Sequence, residues 1–279
     1  MSTIAEALDR QSFNFISNLV RSKSAIVLES GKAYLVESRL SPVARELGLK
    51  NIAELVSELQ KPGSQKLTQR VVEAMTTNET SFFRDIHPFT ALKEKIIPNL
   101  IQCRAKEKSL SIWSNACSSG QEPYTIAMLI AEHFPILKDW KVRIISSDLS
   151  SQILDRARLG EFNQTEVNRG LPMNFLLKYF TKNENTWKIR DDIRKMVEFR
   201  ELNLIEPFPA LLPAMDIVFL RNVLIYFSPE TKSEILKKVH KVMHKDSYLF
   251  LGGSETTMNL NVSFEREQLG KAVGYRPTY

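Results

Sequence analysis

The stretch SIWSNACSSGQEPYTIAML, Ser111 to Leu129, decides the fold. It begins as an apolar strand, breaks at a turn of small residues around Gly120, and resumes as an apolar-periodic helix. Strand, tight turn and helix is the layout with which open α/β folds receive a nucleotide-like ligand at the carboxyl edge of a parallel sheet. Here the turn holds one glycine and is followed at once by an acid, Glu122. Phosphate-binding turns present bare backbone amides at this point, so the acid sets the question of what ligand the turn would accept.

Outward from this stretch, apolar runs alternate with helical segments. LSIWSNA, VRIISSDL, MVEFRELNL, MDIVFLRN and SYLFLGG read as five strands. Helices are expected from Pro123, over SSQILDRAR and near ETKSEILKKVHKVM. Continuous apolar strands separated by helices indicate an α/β fold with a parallel sheet covered on both faces. FEREQLG and AVGYRPTY read as an antiparallel pair at the sheet edge. From about residue 160 to 200, RGLPMNFLLKYF, TWKI and MVEF with the polar turn KNEN make a connection too long for a simple loop. A small antiparallel β insertion is expected there.

The amino-terminal part is different. FNFISNLV places Phe13, Ile16 and Val20 on one helical face, and AYLVESRLSPVARELG places Val36, Leu40, Val43 and Leu47 on another, with Pro42 expected to kink or restart that helix. IAELVSELQ, a break at Lys61-Pro62-Gly63-Ser64, and LTQRVVEAM complete a helical bundle, joined by the helix PFTALKEKIIPNL. The domains expected are 1–75, all helical, and 76–279, the α/β part with its insertion.

The chain of 279 residues is 43% hydrophobic and 25% charged, ordinary for a globular protein with a sizeable core. MSTIAEALDRQSF carries acids and no signal-peptide run, and no stretch approaches the roughly 20 apolar residues that cross a bilayer. A soluble, cytoplasmic protein without membrane insertion is expected. Two cysteines, Cys103 and Cys117, are too few for a disulfide framework or a cysteine-built zinc site. The net charge of +6 is spread among acids, without the basic tracts and interleaved aromatics of nucleic-acid binders. His240 and His244 have metal-pair spacing, but no HExxH pattern or third ligand accompanies them, so no metal is expected.

Glu122 has a structural reading, a first-turn helix stabiliser worth about 0.3 to 1 kcal/mol, and a functional one, an acid facing a cationic ligand. The second strand ends in Asp148, 28 residues past Gly120, where dinucleotide folds place the carboxylate that grips ribose hydroxyls. A nucleoside with positive charge and no phosphate satisfies both observations, and S-adenosylmethionine is such a molecule.

Six ordered motifs extend this reading. MTTNETSFFRD (Met75 to Asp85), ACSSGQEPYTIAM (Ala116 to Met128), SSDLS (Ser146 to Ser150), RGLP (Arg169 to Pro172), FRELNL (Phe199 to Leu204) and FLRNVLIYF (Phe219 to Phe227) occur in this order. Together they resemble the CheR chemotaxis receptor methyltransferases, over nearly the whole chain. The resemblance implies a Rossmann-like S-adenosylmethionine-dependent methyltransferase sheet, with an all-helical amino-terminal domain and a small antiparallel β insertion. It implies methyl transfer to glutamate side chains of chemoreceptors, with S-adenosylhomocysteine as the product, in sensory adaptation.

By the same resemblance, Asn78, Thr80 and Arg84 contribute cofactor contacts, with Arg84 suited to the methionyl carboxylate. Glu122 faces the methionyl amino group, Asp148 the ribose, and Asn203 and Leu204 the adenine. Asn222 and Val223 close the pocket near the sulfonium. Arg221 and Tyr226 are catalytic candidates for orienting the incoming carboxylate, against a structural reading as an ion pair and a packed aromatic. Arg39 and Arg45 would face the acidic methylation helices of the receptor, against a reading as solvated helix charges. Some relatives add a receptor's carboxyl-terminal peptide to the β insertion. Here TKNENTWKI is compact and without glycine, which leaves tail docking open. The alternatives are a non-catalytic cofactor-binding or receptor-binding module, or a methyltransferase of another carboxylate.

Overall fold

The computed structural model describes residues 8–209 and 212–279. The start of MSTIAEALDRQSF, read above for signal character, lies outside the described residues. The chain divides into two compact units: Met1–Thr77 with Tyr226–Thr231, and Asn78–Ile225 with Lys232–Tyr279.

The first unit is helical: α1 (Arg10–Ser24), α2 (Ala33–Glu46), α3 (Ile52–Leu59) and α4 (Gln65–Ala74). Asp9 caps α1 by accepting the Ser12 N–H, and Asn51 caps α3 by accepting that of Glu54, so the starts follow local chemistry. Ile16, Val20, Val36, Leu40, Leu55 and Val71 meet in the core. Contrary to the expected break, α2 runs through Pro42. Val36 and Leu40 before the proline and Val43 and Ala44 after it are all buried, so packing holds the segment helical despite the lost backbone bond.

The second unit is built on a seven-stranded sheet. Its strands are β1 (Ser109–Asn115), β2 (Lys141–Asp148), β6 (Val197–Glu201), β7 (Met215–Leu220), β8 (Met243–Leu251), β9 (Phe264–Leu269) and β10 (Ala272–Pro277). They lie in the order β6-β2-β1-β7-β8-β10-β9. The first five pair in parallel, and β10 and β9 add as the antiparallel hairpin expected at the edge. The β1 register puts Ile112 and Trp113 beside Ile144 and Ile145 on one side and Ile217 and Val218 on the other, so apolar side chains face both layers. The order reverses between β1 and β7, the switch point at which such sheets bind ligands. A three-stranded antiparallel sheet, β3 (Glu161–Asn163), β5 (Thr186–Ile189) and β4 (Phe180–Asn183), forms the insertion. It ends at Ile189, so MVEF belongs to the main sheet.

Helices α5 (His87–Ala91) and α6 (Ile97–Cys103) precede β1, joined by one π turn. Then come α7 (Gln121–His133), α8 (Ser151–Leu159), α9 (Gln164–Asn168), α10 (Met173–Tyr179), α11 (Asp191–Arg194) and α12 (Pro229–Lys241). Helix α12 ends at Lys241 and His244 lies in β8, so the metal-pair spacing of His240 and His244 is not a helical one. The His240 ring instead lies 2.9 Å from the Thr278 carbonyl and against Phe264 and Tyr279.

An aromatic chain ties the loop before α5 to both sheets. Phe82 packs edge-on against Phe162 of β3 and Phe180 of β4, Phe83 against Phe175 and Phe89, and Phe89 stacks on Phe219 of β7. Gly170 passes so close to this loop that a Cβ would stand 2.1 Å from the Phe82 carbonyl oxygen, at a φ of +89°. Gly170→Ala should therefore lower stability by about 2 kcal/mol or more in denaturant unfolding, through steric clash and left-handed backbone strain. Gly253→Ala, with open space around the new methyl, should be nearly neutral.

Candidate active site

The carboxyl ends of the parallel strands gather the sequence-derived residues of the second unit along one edge. After β1 the chain takes positive φ at Ala116, Ser118 and Gly120 before entering α7. This tight path leaves Glu122 in the first helical turn, 9% exposed. Its Oε1 accepts from the Ser114 hydroxyl at 2.8 Å and its Oε2 from Arg221 Nη1 at 2.8 Å. Asp148, at the end of β2 and also buried, accepts the backbone N–H groups of Ser118 at 2.8 Å and Ser150 at 3.1 Å. Two buried acids thus stand beyond the carboxyl ends of neighbouring strands, Glu122 in the first turn of α7 and Asp148 at the end of β2, each already fixed in direction, and each carboxylate keeps acceptor capacity beyond these bonds.

Arg221 follows β7 and is 5% exposed. Nη1 goes to Glu122, while Nη2 goes to Asp85 Oδ2 at 2.7 Å and to the Arg84 carbonyl at 2.9 Å. Of its two sequence readings, the ion pair is the one seen: the terminal nitrogens are committed within the protein. The two carboxylates and one guanidinium leave one formal negative charge, so the cluster still favours a cation.

The Asn78–Arg84 segment is held at the same edge. The Asn78 carbonyl accepts from the Ser118 hydroxyl at 2.8 Å, and half-buried Arg84 donates to the Glu79 carbonyl at 2.8 Å. Thr80 lies between them, half-buried. After β6, Asn203 closes a turn by accepting the Ile205 N–H at 3.3 Å, and Leu204 is buried. At the end of β1, the Asn115 side-chain nitrogen is buried without a hydrogen-bond partner among the described residues, a donor that suits a polar ligand at this edge.

Asn222 and Val223 are positioned by a residue that the sequence reading missed. Glu255, in the loop after β8, accepts the backbone N–H groups of Asn222 at 2.7 Å, Val223 at 2.9 Å, Ile225 at 3.3 Å and Gly252 at 2.6 Å. A Cβ on Gly252 would lie 2.6 Å from the Glu255 carboxylate and 2.8 Å from the Asn222 backbone nitrogen, so the segment GGSE acts as one strap. The adjacent glycines were the available signal, because they allow such a close approach.

The remaining candidates belong to the first unit. Tyr226 is half-buried, and its carbonyl accepts the Val27 N–H at 3.1 Å. Arg39 is drawn inward, donating to the carbonyls of Met75 at 2.7 Å and Thr76 at 2.8 Å and to the Thr77 hydroxyl at 2.9 Å. It satisfies orphan carbonyls past the end of α4, a structural duty that the reading of it as a receptor contact lacked. Arg45 is exposed, near the Ser41 carbonyl.

Cys117 is buried, and burial, reinforced by Asp148 and Glu122, pushes its thiol well above the ordinary value. It is a packed thiol rather than a nucleophile. In the native protein a thiol reagent at pH 8 should label exposed Cys103 quickly and Cys117 only at the rate of opening; equal rates would contradict this. Glu255→Gln should cost about 2 kcal/mol in denaturant unfolding, because an amide cannot accept at both ends of the strap.

Two comparisons with known proteins bear on this geometry. The CheR methyltransferase SAM-binding domain matches residues 78–273, and the CheR all-alpha domain matches residues 11–76. Chemotaxis protein methyltransferase 1 of Pseudomonas aeruginosa is 43% identical over 256 residues, covering 90% of this chain and 92% of that protein. Chemotaxis protein methyltransferase Cher2 of Pseudomonas putida is 41% identical with the same coverage. The chemotaxis protein methyltransferase of Vibrio parahaemolyticus is 37% identical over 276 residues, 98% of each chain. With both domains matched in order and buried acids in the first turn of α7 and at the end of β2, the chain belongs to the CheR methyltransferase family, whose larger domain binds S-adenosylmethionine.

Proposed function

We propose that this protein transfers the methyl group of S-adenosylmethionine to glutamate side chains on the cytoplasmic methylation helices of chemoreceptors, for sensory adaptation in chemotaxis. The observation that carries the reading is the pair of buried, oriented acids: Glu122 on the first turn after β1 and Asp148 at the end of β2. A phosphate would be repelled there, whereas an ammonium and a ribose diol both find acceptors. Family membership and the names of the relatives support the same conclusion. Retention of Asn78, Arg84, Glu122, Asp148 and Asn222 weighs against a non-catalytic module.

In this reading Glu122 holds the methionyl amino group, Arg84 the carboxylate, Asp148 the ribose hydroxyls, and Asn203 with Leu204 the adenine. Asn222 and Val223, fixed by Glu255, border the sulfonium, and Asn78 and Thr80 complete the wall. S-adenosylmethionine supplies, when bound, a methyl carbon on positively charged sulfur. A substrate glutamate with a pKa near 4.3 is already ionised at pH 7, so the protein needs no general base. Its task is alignment, with roughly 3 to 3.5 Å between the reacting oxygen and carbon. With the cofactor bound, that methyl carbon would pass to the carboxylate oxygen, and the sulfur would leave with the electron pair of the carbon–sulfur bond. Opposite charges cancel, so a water-poor pocket favours the step. Tyr226 is assigned to orienting the incoming carboxylate, and Arg45 to contact with the acidic receptor helices.

Incubation with methyl-labelled S-adenosylmethionine and membranes bearing chemoreceptors should place label on the receptor, released as methanol by mild base. Base-stable label would exclude a carboxyl ester. Arg84→Ala and Asp148→Asn should weaken cofactor binding about tenfold or more in calorimetry, while Tyr226→Phe should lower kcat and leave that affinity unchanged.

A further inference from the structure

We propose that a cavity of about 360 Å³ at the carboxyl edge of the sheet is the port through which the substrate carboxylate reaches the site, an inference that rests on the methyltransferase reading. The charged side chains lining it are Asp85, Arg221, Glu255, Arg266 and Lys271, with His87 and Tyr275 beside them. Both acids are spent within the protein. Asp85 holds Arg221 at 2.7 Å, and Glu255 receives four backbone amides.

The cations are not matched in the same way. Arg266 of β9 donates to a neutral partner, the Gln268 side-chain oxygen, at 3.0 Å. Lys271 is exposed at the tip of the β9–β10 hairpin and enters no ion pair among the described residues. Arg221 lines the cavity while its Nε, in a side chain 2% exposed, is buried without a hydrogen-bond partner among the described residues. A buried guanidinium donor left unsatisfied is costly.

The unmet groups are therefore donors and cations, which select an anion. The attraction comes from Arg266 and Lys271, while the Arg221 cluster with Asp85 and Glu122 carries one net negative charge, so a singly charged carboxylate suits the site better than a phosphate dianion. Exposed Arg266 and Lys271 are accessible to a protein-borne side chain. Arg221 also joins the port to the cofactor pocket: it lines the cavity while its Nη1 holds Glu122, so a carboxylate held by Arg266 and Lys271 stands near the guanidinium that fixes the residue assigned to the methionyl amino group.

The test compares wild type with Lys271→Gln and with the double variant Arg266→Gln/Lys271→Gln, using receptor-bearing membranes as substrate. Lys138→Gln, on an exposed segment elsewhere, controls for net charge. The double variant should raise the KM for receptor roughly fivefold to tenfold and blunt its salt dependence, with cofactor affinity and Tm unchanged; Lys271→Gln alone should give a smaller rise. A KM within twofold of wild type in folded double variant would overturn the proposal. So would weakened cofactor binding with receptor KM unmoved, which would give the cavity to the cofactor's own carboxylate. Absence of transfer by wild type would sink the functional reading itself, whereas transfer with no change in the variants sinks the port alone.

Discussion

One buried guanidinium organises the working edge of this protein. Arg221 reaches from the end of β7 to Glu122 on α7 and to Asp85 and the Arg84 carbonyl on the loop before α5. Three segments distant in sequence thereby share one charge centre. Breaking such a pair by removing one partner typically costs about 3 to 5 kcal/mol, because the remaining charge stays buried and uncompensated. That penalty keeps Glu122 aimed, with Ser114 on one carboxylate oxygen and Arg221 on the other. The sheet order serves the same end. With β1 and β7 adjacent at the point where the order reverses, the first helical turn and the β7 loop face one another.

Around this centre the protein fixes backbone with side chains. Asp148 clamps the turn after β1 through the Ser118 N–H, and Glu255 gathers amides from the loops after β7 and β8. Phe82 and Phe83 anchor the segment carrying Asn78, Thr80 and Arg84 against the β insertion and α10. An alkyl transfer with no proton to move depends on placement. The structure meets that demand with charge-assisted bonds and aromatic packing rather than with a titrating side chain.

Much of this was legible in the sequence because it is written in local pattern. The five parallel strands are continuous apolar runs such as MDIVFL, and the turn at Gly120 is marked by small residues before a periodic helix. Glu122 and Asp148 were legible because their places relative to strand ends carry meaning in open α/β folds. What escaped depends on partners far away in the chain. Arg39 looks like a surface charge until Met75 and Thr76 are seen to need donors, and Glu255 is an ordinary acid until four amides converge on it. Pro42 signals a break locally, but the buried residues on either side override it. His240 and His244 lose their apparent pairing because the helix stops at Lys241.

The central claim is that Glu122, held by Ser114 and Arg221, is the acceptor that selects a cationic nucleoside. The most direct measurement is the calorimetric affinity of wild type and Glu122→Gln for S-adenosylmethionine, with unfolding followed in parallel. A loss of roughly tenfold or more in affinity, in a protein that remains folded at the temperature of the titration, is the expected result. Equal affinity in the two proteins would contradict the claim and return Glu122 to the role of a helix-end stabiliser.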